Sequence, residues 1–423
     1  MKKTFVFLTV IILTLTSSYG QDNLRYTDFI YNKNIKTVLL YRQGWEFTYP
    51  IITLNSEQKL ILKFDDLGKQ QNDYSYTVKH CNSDWQPSEL NPIEYIEGYT
   101  EAQIESSEPS FNTLISYNHY ELIFPSEDMK ITKSGNYILY VYESDDSEKP
   151  ILTRRFFVVD PKVDIEANVK RSSIVDYQEE YQEITFTVID KEKYIKNSYD
   201  NLQVSILQNN REDVKLTDLN PTFVKANSFE FYEPRKIKFP GGNEFRYFNT
   251  KSIKYVTDRV EAVEFRSPYY FFELYPEKGE PTLPYSYVQD INGDIFIVAD
   301  HIDNPDLEAE YVYVDFTLVH DVLEKGNFYV FGALSDWKLL EKMQMKYNYG
   351  RNAYELRMLL KQGFYNYKYV YSENINSEID NSKIEGNYFE TENNYVIYIY
   401  YTGTLQEYDE LIGVKIVNSL KKY

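Results

Sequence analysis

From Tyr74 to His80 the chain alternates. Tyr74, Tyr76, Val78 and His80 fall on one face, and Ser75, Thr77 and Lys79 on the other. A period of two predicts a strand with one face buried and one polar. Related apolar runs at Thr37–Tyr41, Leu60–Phe64, Tyr117–Phe124, Tyr137–Tyr142 and Arg155–Val159 predict further strands. Turn chemistry separates them, at Asp65-Asp66-Leu67-Gly68, Asn82-Ser83-Asp84 and Ser134-Gly135-Asn136. Short strands at this spacing predict an immunoglobulin-like sandwich over residues 21–160. The stretch Trp85–Asn112 is longer than an ordinary connection, so it either carries function or packs on the sandwich.

Pro161 follows the strand ending at Val159 and marks a border. Beyond it, Ile184–Ile189, Gln203–Leu207, Phe245–Phe248 and Ile295–Val298 predict strands of a second sandwich, residues 161–303. Asn209-Asn210, Pro240-Gly241-Gly242 and Asn292-Gly293 supply its turns. The last of these predicts a type I′ hairpin joining Tyr285–Gln289 to Ile295–Val298. The loop Asp303-Asn304-Pro305-Asp306 opens a third unit, residues 304–423, whose first strand is Tyr311–Val319. The expected fold class is therefore all-β, with three consecutive immunoglobulin-like β-sandwich domains.

Composition agrees with that reading. The chain has 43 Tyr and 25 Phe, residues that suit a pleated, half-buried surface, and its 43% hydrophobic content excludes disorder of the whole chain. A net charge of −20 repels phosphate backbones and anionic lipid, so no nucleic-acid partner is expected. Cys81 stands alone, which excludes an intramolecular disulfide. At the N-terminus, Lys2 and Lys3 precede an apolar run from Thr4 to Thr16, with the small residues Ser18 and Gly20 before Gln21. This pattern predicts a signal peptide, residues 1–20, removed on export. Its apolar run of about 13 residues falls short of the roughly 20 that span a bilayer, so no direct membrane insertion is expected.

Candidate chemistry is sparse. His80 and Cys81 are adjacent on a predicted strand, so their side chains point to opposite faces and share no ion there. His119, His301 and His320 are isolated along the sequence, which favours structural roles. The stretch Asp290 to Asp294 resembles a calcium loop on its surface, but its glycine comes too early and no Glu closes it. Asp65-Asp66 has the look of a catalytic carboxylate pair, yet among 65 acidic residues such neighbours arise by chance. No GxSxG, HExxH or phosphate-loop motif is present. No enzymatic activity, cofactor or metal is expected.

Several segments carry a family resemblance: FDDL at Phe64–Leu67, YSYT at Tyr74–Thr77, His80-Cys81, Asp84-Trp85, EYIEGY at Glu94–Tyr99 and SGNY at Ser134–Tyr137. QNNR at Gln208–Arg211, GGNEFR at Gly241–Arg246 and LKQGFYNY at Leu360–Tyr367 continue it. In order and spacing the chain resembles the plug proteins of the Bacteroidetes type IX secretion system. That resemblance implies a periplasmic, non-enzymatic subunit associated with the inner side of the outer membrane. Its implied partner is the outer-membrane translocon barrel, whose periplasmic mouth it would close. Trp85, Tyr95 and Tyr99 in the long loop are the candidate partner contacts, because loops carry binding. Separately, Gly332, Trp337, Tyr354, Gly363, Tyr367 and Lys368 are spaced as in the glycogen-binding modules of the early-set immunoglobulin superfamily. There the counterparts of Trp337 and Lys368 hold glucose units, which implies an alternative, an exported glycan-binding protein. The second sugar-stacking Trp of those modules has no counterpart, since from Val370 the chain reads VYSENINS. On the plainer reading, Trp337 packs a domain corner and only the fold is shared.

Overall fold

The computed structural model describes residues 24–279, 281–403 and 407–420. The proposed signal peptide lies outside the described residues. The chain is mostly β, as expected, in several sheets with few and short helices. No helix among the described residues is long and apolar enough to cross a membrane.

The first sandwich forms as its alternation dictates. One sheet holds Tyr74–Cys81, Gly135–Glu143 and Asp146–Val159; the other holds Ile35–Arg42, Leu60–Asp66, Ser106–Pro109 and Asn118–Phe124. Tyr74, Tyr76 and Val78 from one sheet meet Leu62, Phe64 and Leu122 from the other in a shared core. The rings of Phe64 and Tyr120 stack at 4.9 Å. The stretch from Trp85 to Asn112 packs on this sandwich rather than standing away from it. It contains a helical turn, Pro92–Tyr95, opened by Asn91, whose backbone N–H donates to Glu94 Oε2 at 2.7 Å. The segment Ile96–Gly98 then pairs with Met129–Ile131, and Ile96 and Ile104 join the core.

Beyond residue 160 the sheets do not follow the expected border at 303/304. Leu202–Gln208 pairs along its full length with Asn394–Tyr401, which in turn pairs with Glu410–Asn418. The second core therefore joins Ile184, Val188, Ile206 and Phe231 to Ile397, Ile399 and Ile412. The third core is built from the residues between. Arg246–Asn249 and Ile295–Ile297, expected in the second sandwich, both pair with Gly363–Ser372. The opposing sheet carries Tyr311–Val319 and Ala353–Lys361. The third unit is thus inserted between strands of the second.

The expected hairpin at Asn292-Gly293 is corrected as well. Both residues have the positive φ of such a turn, +52° and +87°. Its loop is held by Asn366 instead of a partner strand: Oδ1 accepts from the N–H groups of Ile291 (2.6 Å) and Gly293 (3.3 Å). No strand forms over 285–289. Local turn chemistry specified the bend, and a distant side chain decided what the bend connects.

Candidate functional site

The first sandwich is sheathed on both outer faces by the rest of the chain, and the polar groups of interest gather at these joints. Against the second unit, Cys81, Ile138, Tyr140, Phe157 and Val159 pack on Leu207, Val396, Tyr398, Tyr400 and Leu411. Phe157 stacks on Tyr398 with ring centroids 4.4 Å apart. Polar clasps border this apolar contact. The Ser83 N–H and hydroxyl both donate to Asp409 Oδ2, at 3.0 and 2.7 Å, and the Tyr400 hydroxyl donates to Asn136 Oδ1 at 2.8 Å.

The joint to the third unit is ionic. On the strand Leu60–Asp66, alternate residues Leu60, Leu62 and Phe64 enter the core, which turns Lys63 and Asp65 outward from the sandwich. Asp65 is nevertheless 1% exposed, because the third unit covers it. Its Oδ1 lies 2.7 Å from His119 Nδ1, and its Oδ2 accepts from Lys361 Nζ and the Tyr311 hydroxyl, each at 2.7 Å. Lys361 also donates to the carbonyl of Asp306 at 2.7 Å. Burial lowers the pKa of Lys361 against the raising effect of Asp65. Removing either partner of such a pair strands a charge away from water, which costs about 3–5 kcal/mol. Nearby, Glu310 accepts from the N–H groups of Leu114 (2.5 Å) and Ile115 (3.1 Å), fastening the two units through the backbone. His119, isolated along the sequence, has a partner in the fold, since Asp65 faces it directly across the strand pair.

Where the three units meet, a cavity of about 350 Å³ remains, bordered by Tyr49, Lys63, Arg155, Glu212, Asp294 and Trp337 among others. Burial pushes the Asp294 carboxyl up to about 7. Glu244, elsewhere in the third unit, is also pushed up to about 7 by burial, against its hydrogen bond from Tyr285.

The candidate contact residues fall in different surroundings. Trp85 is 4% exposed and sits in the joint between the first two units. Its Nε1 donates to Glu212 Oε1 at 3.0 Å, and the Arg155 guanidinium lies 4.1 Å over its ring. Tyr95 is buried in the first core. These two therefore hold the chain to itself, a correction to their expected role at a partner surface. Tyr99, from the same segment, is 69% exposed. Trp337 packs edge-on to Phe245 and Phe331, with the Arg211 guanidinium 4.9 Å from its ring. Lys368 is buried, its ammonium 3.9 Å over Phe245, and burial pulls its pKa down to about 8. The environment of this pair is that of the plainer reading, a packed corner.

His80 and Cys81 have separate surroundings, as their strand positions require. His80 Nδ1 lies 2.9 Å from Ser88 Oγ and Nε2 lies 3.1 Å from the Ser134 carbonyl. Cys81 is fully buried in the apolar joint, and burial pushes its thiol up to about 12. A thiol so reluctant to ionise is a poor nucleophile.

Sequence reasoning named Asp65 and His119 without joining them, and it missed Tyr311 and Lys361 as their partners. Each lies on a strand of ordinary pattern. The one visible signal was that Lys63 and Asp65 take the outward positions of the apolar strand LILKFDD.

Comparison with known proteins bears on the whole chain. Residues 35–160 match a family model described as the first domain of the type 9 secretion system plug protein. No curated protein matches the chain. Among solved structures, the chain is similar to the crystal structure of a hypothetical protein from Parabacteroides merdae. The two are 36% identical with a TM-score of 0.90, over 94% of this chain and 100% of that one.

Proposed function

Since this chain belongs to the type IX secretion system plug protein family, we propose that it is a non-enzymatic periplasmic subunit that binds the translocon barrel and closes its periplasmic opening. The observation that carries the reading is the family match over residues 35–160. Physical features support it. A wide outer-membrane barrel leaks small molecules unless its lumen is blocked. A stopper needs a stiff body, and here the units are locked together by an apolar joint, a buried ion network and an inserted chain segment. It also needs a contact that can be released. Ile93, Tyr99 and Phe111 of the Trp85–Asn112 stretch are 81%, 69% and 62% exposed. Large apolar and aromatic side chains set on an acidic surface suit an adhesive, reversible contact.

The test has two arms. The protein, isolated with its envelope partners from detergent-solubilised outer membranes, should bring the barrel with it, and Tyr99→Glu combined with Ile93→Glu should reduce the yield. Cells lacking the protein should admit a small dye that intact cells exclude. Impermeable mutant cells would remove the gating role, and failure to recover the barrel would remove the partner.

A further inference from the structure

Beside the Asp65 network lies a set of donor atoms that the joint leaves partly unused. On the paired strands His119 faces Asp65 and Glu121 faces Lys63, while Asp306 arrives on the short helix Pro305–Glu308 of the third unit. One ligand atom from each of His119, Glu121 and Asp306 lies within 4.8 Å of the other two. The state of the imidazole is the deciding feature. Asp65 receives the Lys361 ammonium and the Tyr311 hydroxyl, so its carboxylate is an acceptor and the proton between it and His119 resides on Nδ1. In the neutral ring this leaves a lone pair on Nε2. The His119 side chain is only 10% exposed, and Nε2 has no hydrogen-bond partner. A carboxylate fixing the far nitrogen of a histidine is the usual support behind a metal ligand, because it sets the tautomer and raises the basicity of the near nitrogen.

We propose that His119 Nε2, Glu121 and Asp306 form a divalent-cation site that takes Zn²⁺, with water as the fourth ligand, and clips the first sandwich to the third unit. One imidazole and two carboxylates suit a borderline ion in a four-coordinate site. They are too few oxygens for Ca²⁺, and Mg²⁺ surrenders its water reluctantly. Coordination distances of about 2.0–2.2 Å require the three donors to draw together by roughly 1 Å, within the reach of side-chain rotation. Lys63 reaches the same two carboxylates that the cation would use. Its ammonium lies 2.5 Å from Asp306 Oδ2 and 3.8 Å from Glu121 Oε2. Lys63 also borders the central cavity, into which its flexible stem can withdraw when the metal enters. Lys63 is therefore a competitor at the site, and its loss should tighten metal binding. A packed corner or an ordinary ion pair would show no such response.

The experiment is calorimetric titration of the metal-stripped mature protein with Zn²⁺, alongside Co²⁺ as a spectroscopic substitute. Wild type should take up one ion per chain, and the Co²⁺ form should show the visible bands of a four-coordinate site. Glu121→Gln should weaken Zn²⁺ binding by at least about tenfold, and Lys63→Met should strengthen it. Glu121 is one-third exposed, so its variant keeps the fold, which near-ultraviolet circular dichroism verifies. Absence of Zn²⁺ binding by the wild type would overturn the assignment. So would binding that Glu121→Gln leaves unchanged, or that Lys63→Met fails to improve.

Discussion

His80 shows what burial does to one side chain. It is 3% exposed, ringed by Tyr95, Tyr137 and Tyr408, and so close to Gly135 that a Cβ there would lie 2.4 Å from Nε2. Burial pulls its pKa down to about 4, outweighing the opposite pull of the Ser134 carbonyl. With the folded value below the unfolded one of about 6.5, the neutral ring stabilises the fold above pH 6.5. That contribution is lost as pH falls through 4. A displacement of about 2.5 pK steps corresponds to about 3 kcal/mol at most. Asp294 and Glu244, both pushed up to about 7, act in the opposite sense. Their contribution is complete below the ordinary carboxylate range and is lost as pH rises through 7. Comparing wild type with His80→Gln cancels them. The stability advantage of wild type, measured by denaturant unfolding at pH 7 and pH 4, should shrink by up to about 3 kcal/mol. Parallel pH profiles would show that His80 contributes no such linkage.

Among the elements, the strand Gly135–Glu143 is the most enclosed. It pairs with Tyr74–Cys81 on one side and Asp146–Val159 on the other. Tyr137, Leu139 and Val141 face the first core, while Ile138, Tyr140 and Tyr142 face the joint to the second unit. A strand covered on both faces loses the polar positions that mark a solvent side, and its run YILYVY reads accordingly. Trp85 closes the edge of this joint. Its ring meets Phe157 edge-on at 5.3 Å and its N–H is committed to Glu212. Trp85→Ala removes that contact and opens a void, at a cost of about 3–5 kcal/mol. Scanning calorimetry should show a lower first transition and a separation between the melting of the first unit and that of the others. Unaltered thermograms would mean that the joint does not depend on this ring.

For the whole molecule, the decisive fact is that the second sandwich is discontinuous. Leu202–Gln208 finds its partner only at Asn394–Tyr401, after the third unit has been completed. A chain ended at residue 303, at the border expected from turn chemistry, would leave Leu202–Gln208 without Asn394–Tyr401 and Arg246–Asn249 without Gly363–Ser372. Exposed edges of this kind pair with other chains. The truncated chain should aggregate, and limited proteolysis should leave protected only a fragment covering roughly the first sandwich. Protection extending through residues 161–303 would contradict the shared sheet. In the intact chain the insertion lends stiffness, since the third unit is attached to the second at both of its ends and to the first through Asp65.

Sequence alone determined the class of element and the location of the first sandwich. A period of two with aromatic and β-branched residues fits little besides a pleated, half-covered strand, and the predicted strands from Thr37 to Val159 all form. The family segments, from FDDL to SGNY, were likewise legible because they are contiguous text. Tertiary structure alone decided which strands share a sheet beyond residue 160, since backbone hydrogen bonding is indifferent to sequence and any apolar strand can pair with another. It also decided that Trp85 and Tyr95 turn inward, and that Asp65, His119, Tyr311 and Lys361 converge. Periodicity reports the face on which a residue lies, whereas the partner that covers that face is set by packing between segments far apart in the chain.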